Sequence, residues 1–299
     1  MRIATPLRYP GGKSVMSGFF EDYIKINQMH SATYAEPYAG GAGAAINLLL
    51  NGSVSNIIIN DASIAIFSFW NSLINDGDAF LELFDTTIVS LDEWYHQKQI
   101  FESSTVPSLE LGFATFFLNR CNRSGILKGG PIGGGSYEKQ KLATYKIDAR
   151  YNKTILREKL ENIIVHKSQI SVFNDDAKIF MQRLSTKSPQ EQFNTLVYLD
   201  PPYYIHGSKL YLNFYKHEDH AELAEYLKRL PFIKWILSYD NVEAIRRLYS
   251  NYNQYTFDLN YSVQSKRNGK ELLIHSNNSI LPYPLEIKRV TKVIPIVAI

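Results

Sequence analysis

Short apolar runs rich in β-branched residues alternate along the chain with stretches in which apolar residues recur every three or four positions. Thr33–Glu36 and Asn56–Asn60 (NIIIN) read as buried strands, each followed by a helix, over Ala44–Leu50 and Ile64–Leu73. The alternation resumes with strand Ile170–Phe173, helix Ala177–Leu184, strand Thr195–Leu199, helix Asp219–Leu230 and strand Ile233–Ser238. Strands without polar alternation, separated by helices, predict a parallel sheet covered on both faces. Two later runs, Tyr255–Tyr261 and Glu271–His275, have no helix between them and predict an antiparallel hairpin at one edge of the sheet, turning at Lys266–Lys270.

From Asp76 to Asn162 this rhythm stops. Helical patterns over Asp92–Phe101, Leu109–Asn122 and Lys153–Leu160 surround a glycine-rich stretch, GGPIGGGSYEKQK, that shows no period. The organisation expected is one α/β domain, residues 1–75 and 163–299, carrying a small helical and hairpin domain inserted at 76–162.

Charge changes the picture there. Ten Lys and Arg against three acids between Asn119 and Lys159 give a local +7, which leaves −4 for the rest of a chain whose total is +3. A positive segment on a near-neutral protein suits a polyanion, although a solvated helix face would carry the same composition. With 299 residues, 45% of them hydrophobic, the chain can bury a substantial core. The absence of an eighteen-residue apolar run and of a secretory opening predicts a soluble cytoplasmic protein. One cysteine, Cys121, makes no intramolecular disulfide and no thiolate metal site, and no metal is expected.

The sharpest chemistry stands directly after the strand Thr195–Leu199, where Asp200-Pro201-Pro202-Tyr203 occupies the carboxyl end of a parallel strand, the usual ligand side of such a sheet. Two prolines fix φ and lack N–H groups, giving a stiff turn with outward carbonyl acceptors. An acceptor-only carboxylate, a rigid carbonyl and an aromatic face together suit a planar ring bearing an exocyclic amine: Asp200 and the Pro201 carbonyl take the amino hydrogens and Tyr203 stacks. A proline turn with a capping aspartate is the plainer alternative.

A second constellation, Glu36-Pro37-Tyr38-Ala39-Gly40-Gly41-Ala42-Gly43, lies between the first strand and its helix. Its glycines allow close backbone approach, yet Ile46 stands where a dinucleotide fingerprint needs a third glycine, and an acid beside the loop repels phosphate but welcomes an ammonium or sulfonium. Asp61 ends the next strand at the offset of a ribose-binding carboxylate. Together these outline a nucleoside pocket for a cationic ligand.

The ordered set Pro10-Gly11-Gly12-Lys13, Glu36-Pro37-Tyr38 with its glycines, Asp61, the FFLNRCNRSG segment, an aspartate after Phe173, Asp200-Pro201-Pro202-Tyr203 and Glu271-Leu272 resembles the D12 class of N6-adenine DNA methyltransferases, the Dam-like family, from Arg8 to about Asn277. The resemblance implies an S-adenosylmethionine-dependent methyltransferase sheet, Rossmann-like and mostly parallel, with an inserted target-recognition domain. It implies methyl transfer from S-adenosyl-L-methionine to a flipped-out adenine in double-stranded DNA. Two departures stand out: Ala42 replaces the second glycine of the family loop, and Tyr9 stands before Pro10 where the family places an aromatic directly before its Gly-Gly-Lys.

Carried over residue by residue, the resemblance makes Lys13, Glu36, Tyr38, Gly40, Asp61 and Asp176 cofactor contacts, Asp176 being chosen over Asp175. Tyr9 packs either on the cofactor or in the core. Arg120, Asn122, Arg123 and Ser124 match the family's DNA-contacting segment, to hold phosphates and one base edge. Lys266 and Arg267, on the expected hairpin turn, grip backbone or are merely solvated. His217 and His220 read as helix-start surface groups, and Cys121 as a small buried apolar group. The expected state is a monomer in solution, with a dimer on DNA as the other possibility. An RNA adenine methyltransferase, a non-catalytic DNA-binding relative and, less well, a nicotinamide oxidoreductase stay open as alternatives.

Overall fold

The computed structural model describes residues 4–9, 13–204, 215–261, 267–282 and 293–295. Pro10, Gly11, Gly12 and Lys266 therefore lie outside the described residues. The four-residue strand β1 (Thr33–Glu36), β2 (Asn56–Asn60), β3 (Ile170–Phe173), β4 (Thr195–Leu199) and β5 (Lys234–Asp240) form the parallel part of one sheet, joined by β6 (Gln254–Tyr261), β7 (Arg267–His275) and β8 (Val293–Pro295) in the order β3-β2-β1-β4-β5-β7-β6-β8. β7 runs antiparallel to β5, so that Glu271, near the start of the apolar half of β7, sits opposite Asp240 at the carboxyl end of β5. That reversal brings a residue from late in the chain to the ligand side of the sheet.

Alternate strand residues serve two cores, as a sheet covered on both faces requires. Tyr34, Ile57, Ile59, Leu196, Tyr198 and Ile236 face one core, shared with α1 (Ser17–Ile26), α2 (Gly43–Leu50) and α3 (Ile64–Asn75). Ala35, Ile58, Val197, Leu199, Trp235 and Leu237 face the other, closed by α9 (Ala177–Ser185), α11 (His217–Leu227) and α12 (Glu243–Leu248), with the short α10 (Pro189–Phe193) leading into β4.

Between α3 and β3 run α4 (Gly77–Thr86), α5 (Leu91–Ser103), α6 (Leu109–Cys121), α7 (Tyr137–Leu142) and α8 (Lys153–Val165). Each of α5 to α8 starts where a short polar side chain accepts from the N3 amide: Ser90, Ser108, Ser136 and Asn152. Phe80, Phe84, Phe113, Phe116 and Tyr151 form a ring-on-ring cluster that continues the first core through Phe69 of α3. α6 lies so close on α3 that a β-carbon on Gly112 would stand 2.5 Å from the Ser68 carbonyl oxygen.

Pattern and structure differ in four places. The glycine-rich stretch contains α7, a helix too short and too poor in apolar spacing to show a period. Helices α1, α4, α10 and α12 have no counterpart in the alternation read from sequence, because each is short or follows its neighbour with little break. α11 begins at His217 rather than Asp219, since the Asp219 carboxylate accepts the Lys216 amide at 2.8 Å and so sits one turn inside the helix. Finally, β7 begins at Arg267, not Glu271: Asn268, Gly269 and Lys270 continue the ladder against Asn260, Leu259 and Asp258, a pairing of backbones that needs no apolar side chains.

Among the described residues no helix is long and apolar enough to cross a membrane, and no group of three or more His, Cys, Asp and Glu is placed to hold a metal ion.

Candidate active site

The strand order reverses direction between β1 and β4, and the loops leaving their carboxyl ends face one crevice, the position at which open α/β sheets take ligands. From β4 comes Asp200. Its Oδ1 accepts from Ser238 Oγ at 2.8 Å, and Ser238, on β5, is itself bonded to the Tyr198 hydroxyl at 2.7 Å. Lys13, in the one-turn 3-10 helix Lys13–Met16 that precedes α1, donates to both Asp200 oxygens, at 2.9 and 2.7 Å, and to the Tyr203 hydroxyl at 3.0 Å. Tyr203 in turn donates to Glu271 Oε1. The Lys13 side chain is 5% exposed and that of Glu271 3%.

Electrostatics explain how so many charges stay buried. Burial pulls the Lys13 ammonium towards neutrality, but Asp200 and Glu271 beside it more than compensate and hold it well above the ordinary lysine value. Glu271 is pushed up to about 7, chiefly by burial, against the pull of Lys13. Tyr203 is raised well above its usual range by burial and by the neighbouring carboxylates, so its hydroxyl keeps its proton. The cluster is thus a buried cation shared between two carboxylates.

On the other side of the crevice, Glu36 ends β1 fully buried, accepting from the Tyr34 hydroxyl at 3.0 Å, and burial raises it to about 8. Asp61, just past β2, accepts the Gly40 and Ser63 amides at 2.9 Å each and is raised to about 6, again by burial. Gly40 has φ +47°, and a β-carbon there would meet the Tyr9 ring at 2.7 Å, so the glycine is required both by its conformation and by the tyrosine lying on it. Tyr9 therefore covers the loop itself. Ala42 takes a left-handed conformation, φ 44° and ψ 36°, as the residue before α2, which lets an alanine close a loop where the family has a glycine.

Tyr38 leaves this crevice for the second core, where its hydroxyl lies 2.9 Å from that of Tyr215. Asp176 caps α9, accepting the Lys178 amide at 2.9 Å, while Asp175 pairs with Arg183. Asp175 is placed by Asn60, a residue the sequence pattern subsumed in its strand. Asn60 is 1% exposed; its amide donates to the Pro37 and Asp175 carbonyls at 2.9 and 3.0 Å and its Oδ1 accepts the Asp175 amide at 2.8 Å. One side chain thereby ties together the loops after β1, β2 and β3. A polar residue closing a buried apolar run was the available sign. Ser238 and Glu271 offer the same sign, each polar within a strand of buried apolar residues.

The residues expected on DNA separate into two sets. Asn122 is fully buried, its amide donating to the Ile126 and Leu127 carbonyls at 2.9 Å and its Oδ1 accepting Trp94 Nε1 at 2.7 Å, so every polar atom of its side chain is engaged within the fold. Arg120 grips the Pro6 and Arg150 carbonyls, and burial, with Arg8 nearby, lowers it to about 10. Arg123 is exposed, Ser124 turns at φ 55°, and the Arg267 side chain lies outside the described residues. Exposed with Arg123 are Lys128, Lys139, Lys141, Lys146 and Arg150; Arg157 and Lys159 are instead committed to Asp85, Glu161 and the Thr5 carbonyl. His220 is wholly buried among Tyr204, Tyr215 and Tyr239, not at the surface, because it lies on the face of α11 turned to the second core, with its Nδ1 2.8 Å from the Tyr239 hydroxyl. Cys121 is buried.

A search of curated proteins finds none that matches the chain. A family model, in contrast, matches residues 9–263, a span that takes in Lys13, both crevice loops, the Asn119–Lys159 basic segment and the Asp200 turn. With that match over most of its length and a mostly parallel sheet closed by an antiparallel edge, the chain belongs to the D12 class of N6-adenine-specific DNA methyltransferases.

Proposed function

We propose that this adenine-N6 DNA methyltransferase uses S-adenosylmethionine and acts on an adenine rotated out of double-stranded DNA, with Asp200, Pro201, Pro202 and Tyr203 as its catalytic turn. The observation that carries the reading is that the Asp200 carboxylate, at the carboxyl end of β4, already holds a nitrogen donor, the Lys13 ammonium, through both oxygens. A group that binds N–H there suits an exocyclic amine. The donor set on the other side fits the cofactor: two buried carboxylates, Glu36 and Asp61, both raised by burial, gain most from a cationic amino acid or sulfonium and from ribose hydroxyls. When bound, S-adenosylmethionine supplies an electrophilic methyl on a sulfonium.

The chain's own part is positioning and electrostatics. Lys13, Glu36, Gly40 and Asp61 line the cofactor side, with Tyr9 over the glycine loop, Tyr38 behind it and Asp176 at the start of α9. Asp200 and the Pro201 carbonyl orient the amine so that its nitrogen faces the methyl, and the Glu271 bond fixes the Tyr203 ring against which the base stacks. These contacts offset part of the few kcal/mol that unstacking a base costs. Residues 76–162 serve as the target-recognition unit, with Arg123 and the exposed lysines on phosphates, Ser124 in the same turn, Arg120 and Asn122 holding that turn from beneath, and Lys266 and Arg267 gripping backbone from the hairpin. The protein acts as a monomer.

The test is transfer of labelled methyl from S-adenosylmethionine to unmethylated genomic DNA, followed by single-molecule sequencing for N6-methyladenine at one short motif. Asp200→Ala is expected to abolish transfer while calorimetric cofactor affinity stays within about three-fold of wild type; transfer at a near wild-type rate contradicts the assignment.

A further inference from the structure

The buried cluster at the catalytic turn contains one oxygen too many. Lys13 satisfies Asp200, Tyr203 satisfies Glu271 Oε1, and Glu271 Oε2, 3.9 Å from the Lys13 ammonium, is buried with no hydrogen-bond partner among the described residues. A solvent-shielded carboxylate oxygen without a donor is costly and therefore uncommon in folded proteins.

The arrangement also poses a conflict for the reaction. While Lys13 sits on Asp200, its ammonium occupies the acceptor positions proposed for the target amine. It also places a positive charge beside a nitrogen that must itself become more positive as the methyl arrives. The Lys13 side chain is only 5% exposed, and a buried ammonium without a counter-ion is strongly destabilising. The unpartnered oxygen within reach is Glu271 Oε2. Closing from 3.9 Å to an ordinary charge-assisted bond of about 2.8 Å asks the ammonium to move about 1 Å.

We propose that Glu271 is a positioning residue that receives the Lys13 ammonium when the target adenine enters, vacating Asp200 without leaving a buried cation unpaired. The inference rests on the reading of Asp200 as the acceptor of the target amine. No bond other than hydrogen bonds changes: the ammonium exchanges Asp200 for Glu271, and the adenine amine takes its place. Lys13 thus reserves the site in the absence of substrate, and Glu271 sets how easily it yields.

The discriminating experiment is a double-mutant cycle in methyl transfer to unmethylated genomic DNA. Glu271→Gln keeps a carbonyl oxygen for the Tyr203 hydroxyl but offers the ammonium no charge. It is expected to lower kcat about ten-fold or more while the KM for DNA and the calorimetric affinity for S-adenosylmethionine stay near wild type. On a Lys13→Met background, where there is no ammonium to receive, the same substitution is expected to cost less than about two-fold. An equal loss in both backgrounds, or none in either, overturns the proposal, because Glu271 would then act only through Tyr203 or not at all. Nitrogen NMR of the buried Lys13 ammonium keeps the question answerable if Lys13→Met is inactive: its resonance should shift when the methylatable DNA is added to wild type and stay put in Glu271→Gln, and an unmoved wild-type resonance overturns the proposal. Absence of transfer by wild type itself sinks the functional reading and this inference together, whereas transfer with an additive cycle sinks the inference alone.

Discussion

Glu36 is the side chain whose environment most directly predicts solution behaviour. Burial moves its pKa from 4.5 to about 8, so the folded protein holds a proton there that the unfolded chain has released. A raised carboxylate stabilises the fold below pH 4.5 and loses that contribution as pH rises through about 8, a decline on the order of a few kcal/mol across the window. Asp61 and Glu271 act in the same sense, up to about 6 and about 7. The cofactor-free protein should therefore show a falling Tm between pH 5 and pH 8. A cationic cofactor beside Glu36 favours the ionised form, so binding near pH 7 should release close to one proton, read from calorimetry in buffers of different ionisation enthalpy. Glu36→Gln should remove the release; proton release of the same size in that variant places its source elsewhere.

The contact of α6 with α3 belongs to the scale of elements. Gly112 is needed not for its backbone conformation but because the Ser68 carbonyl and the Ser72 hydroxyl leave no room for a methyl group. Gly112→Ala is expected to push α6 away from α3 and to cost about 2 kcal/mol or more of stability in denaturant titration, despite the better helix propensity of alanine. A neutral or stabilising result would show that the two helices adjust freely. This close approach is invisible in the chain, where a single glycine inside a helical pattern reads only as a weakened helix. The strands are far more legible. β1, β2, β3 and β4 begin and end where the apolar runs do, because a strand buried on both faces tolerates nothing else. The turn proposed as catalytic is equally plain, since rigidity, acceptors and an aromatic ring are all local to Asp200–Tyr203. What sequence withholds are polar residues acting across the fold: Asn60 and Ser238 have no role within their own strands, and for Glu271, singled out by its motif, the sequence names no partner, since those partners lie on other loops. For the same reason Asn122 resembles a DNA contact although its amide is bound inside.

At the scale of the whole molecule, the positive segment is thinner than composition indicates. Arg120, Arg157, Lys159 and the exposed Lys153 are held by carbonyls and carboxylates, and the other exposed cations are Arg123, Lys128, Lys139, Lys141, Lys146 and Arg150. Tyr137, Leu142 and Tyr145 are exposed among them, a mixture of rings and cations that suits the DNA-binding role proposed for this face. Replacing Lys139, Lys141 and Lys146 together by alanine should weaken DNA binding at all sequences alike and flatten the plot of log affinity against log salt by up to about 2.7, at about 0.9 for each phosphate no longer neutralised. An unchanged slope would place the polyanion on another face.

The central place of β1 has a consequence for how the molecule comes into being. Thr33 pairs on one side with Asn56 but on the other with Thr195, and Asn27 holds both the amide and the carbonyl of Ile280. As the chain leaves the ribosome, β1 gains its first neighbour early and then presents an open edge until β4 has been made. Throughout that interval, Lys13 has neither Asp200 nor Glu271 to meet its charge. The buried ion cluster around Lys13 is therefore among the last parts to assemble, and the waiting edge of β1 is where a partly synthesised chain is most exposed to pairing with another.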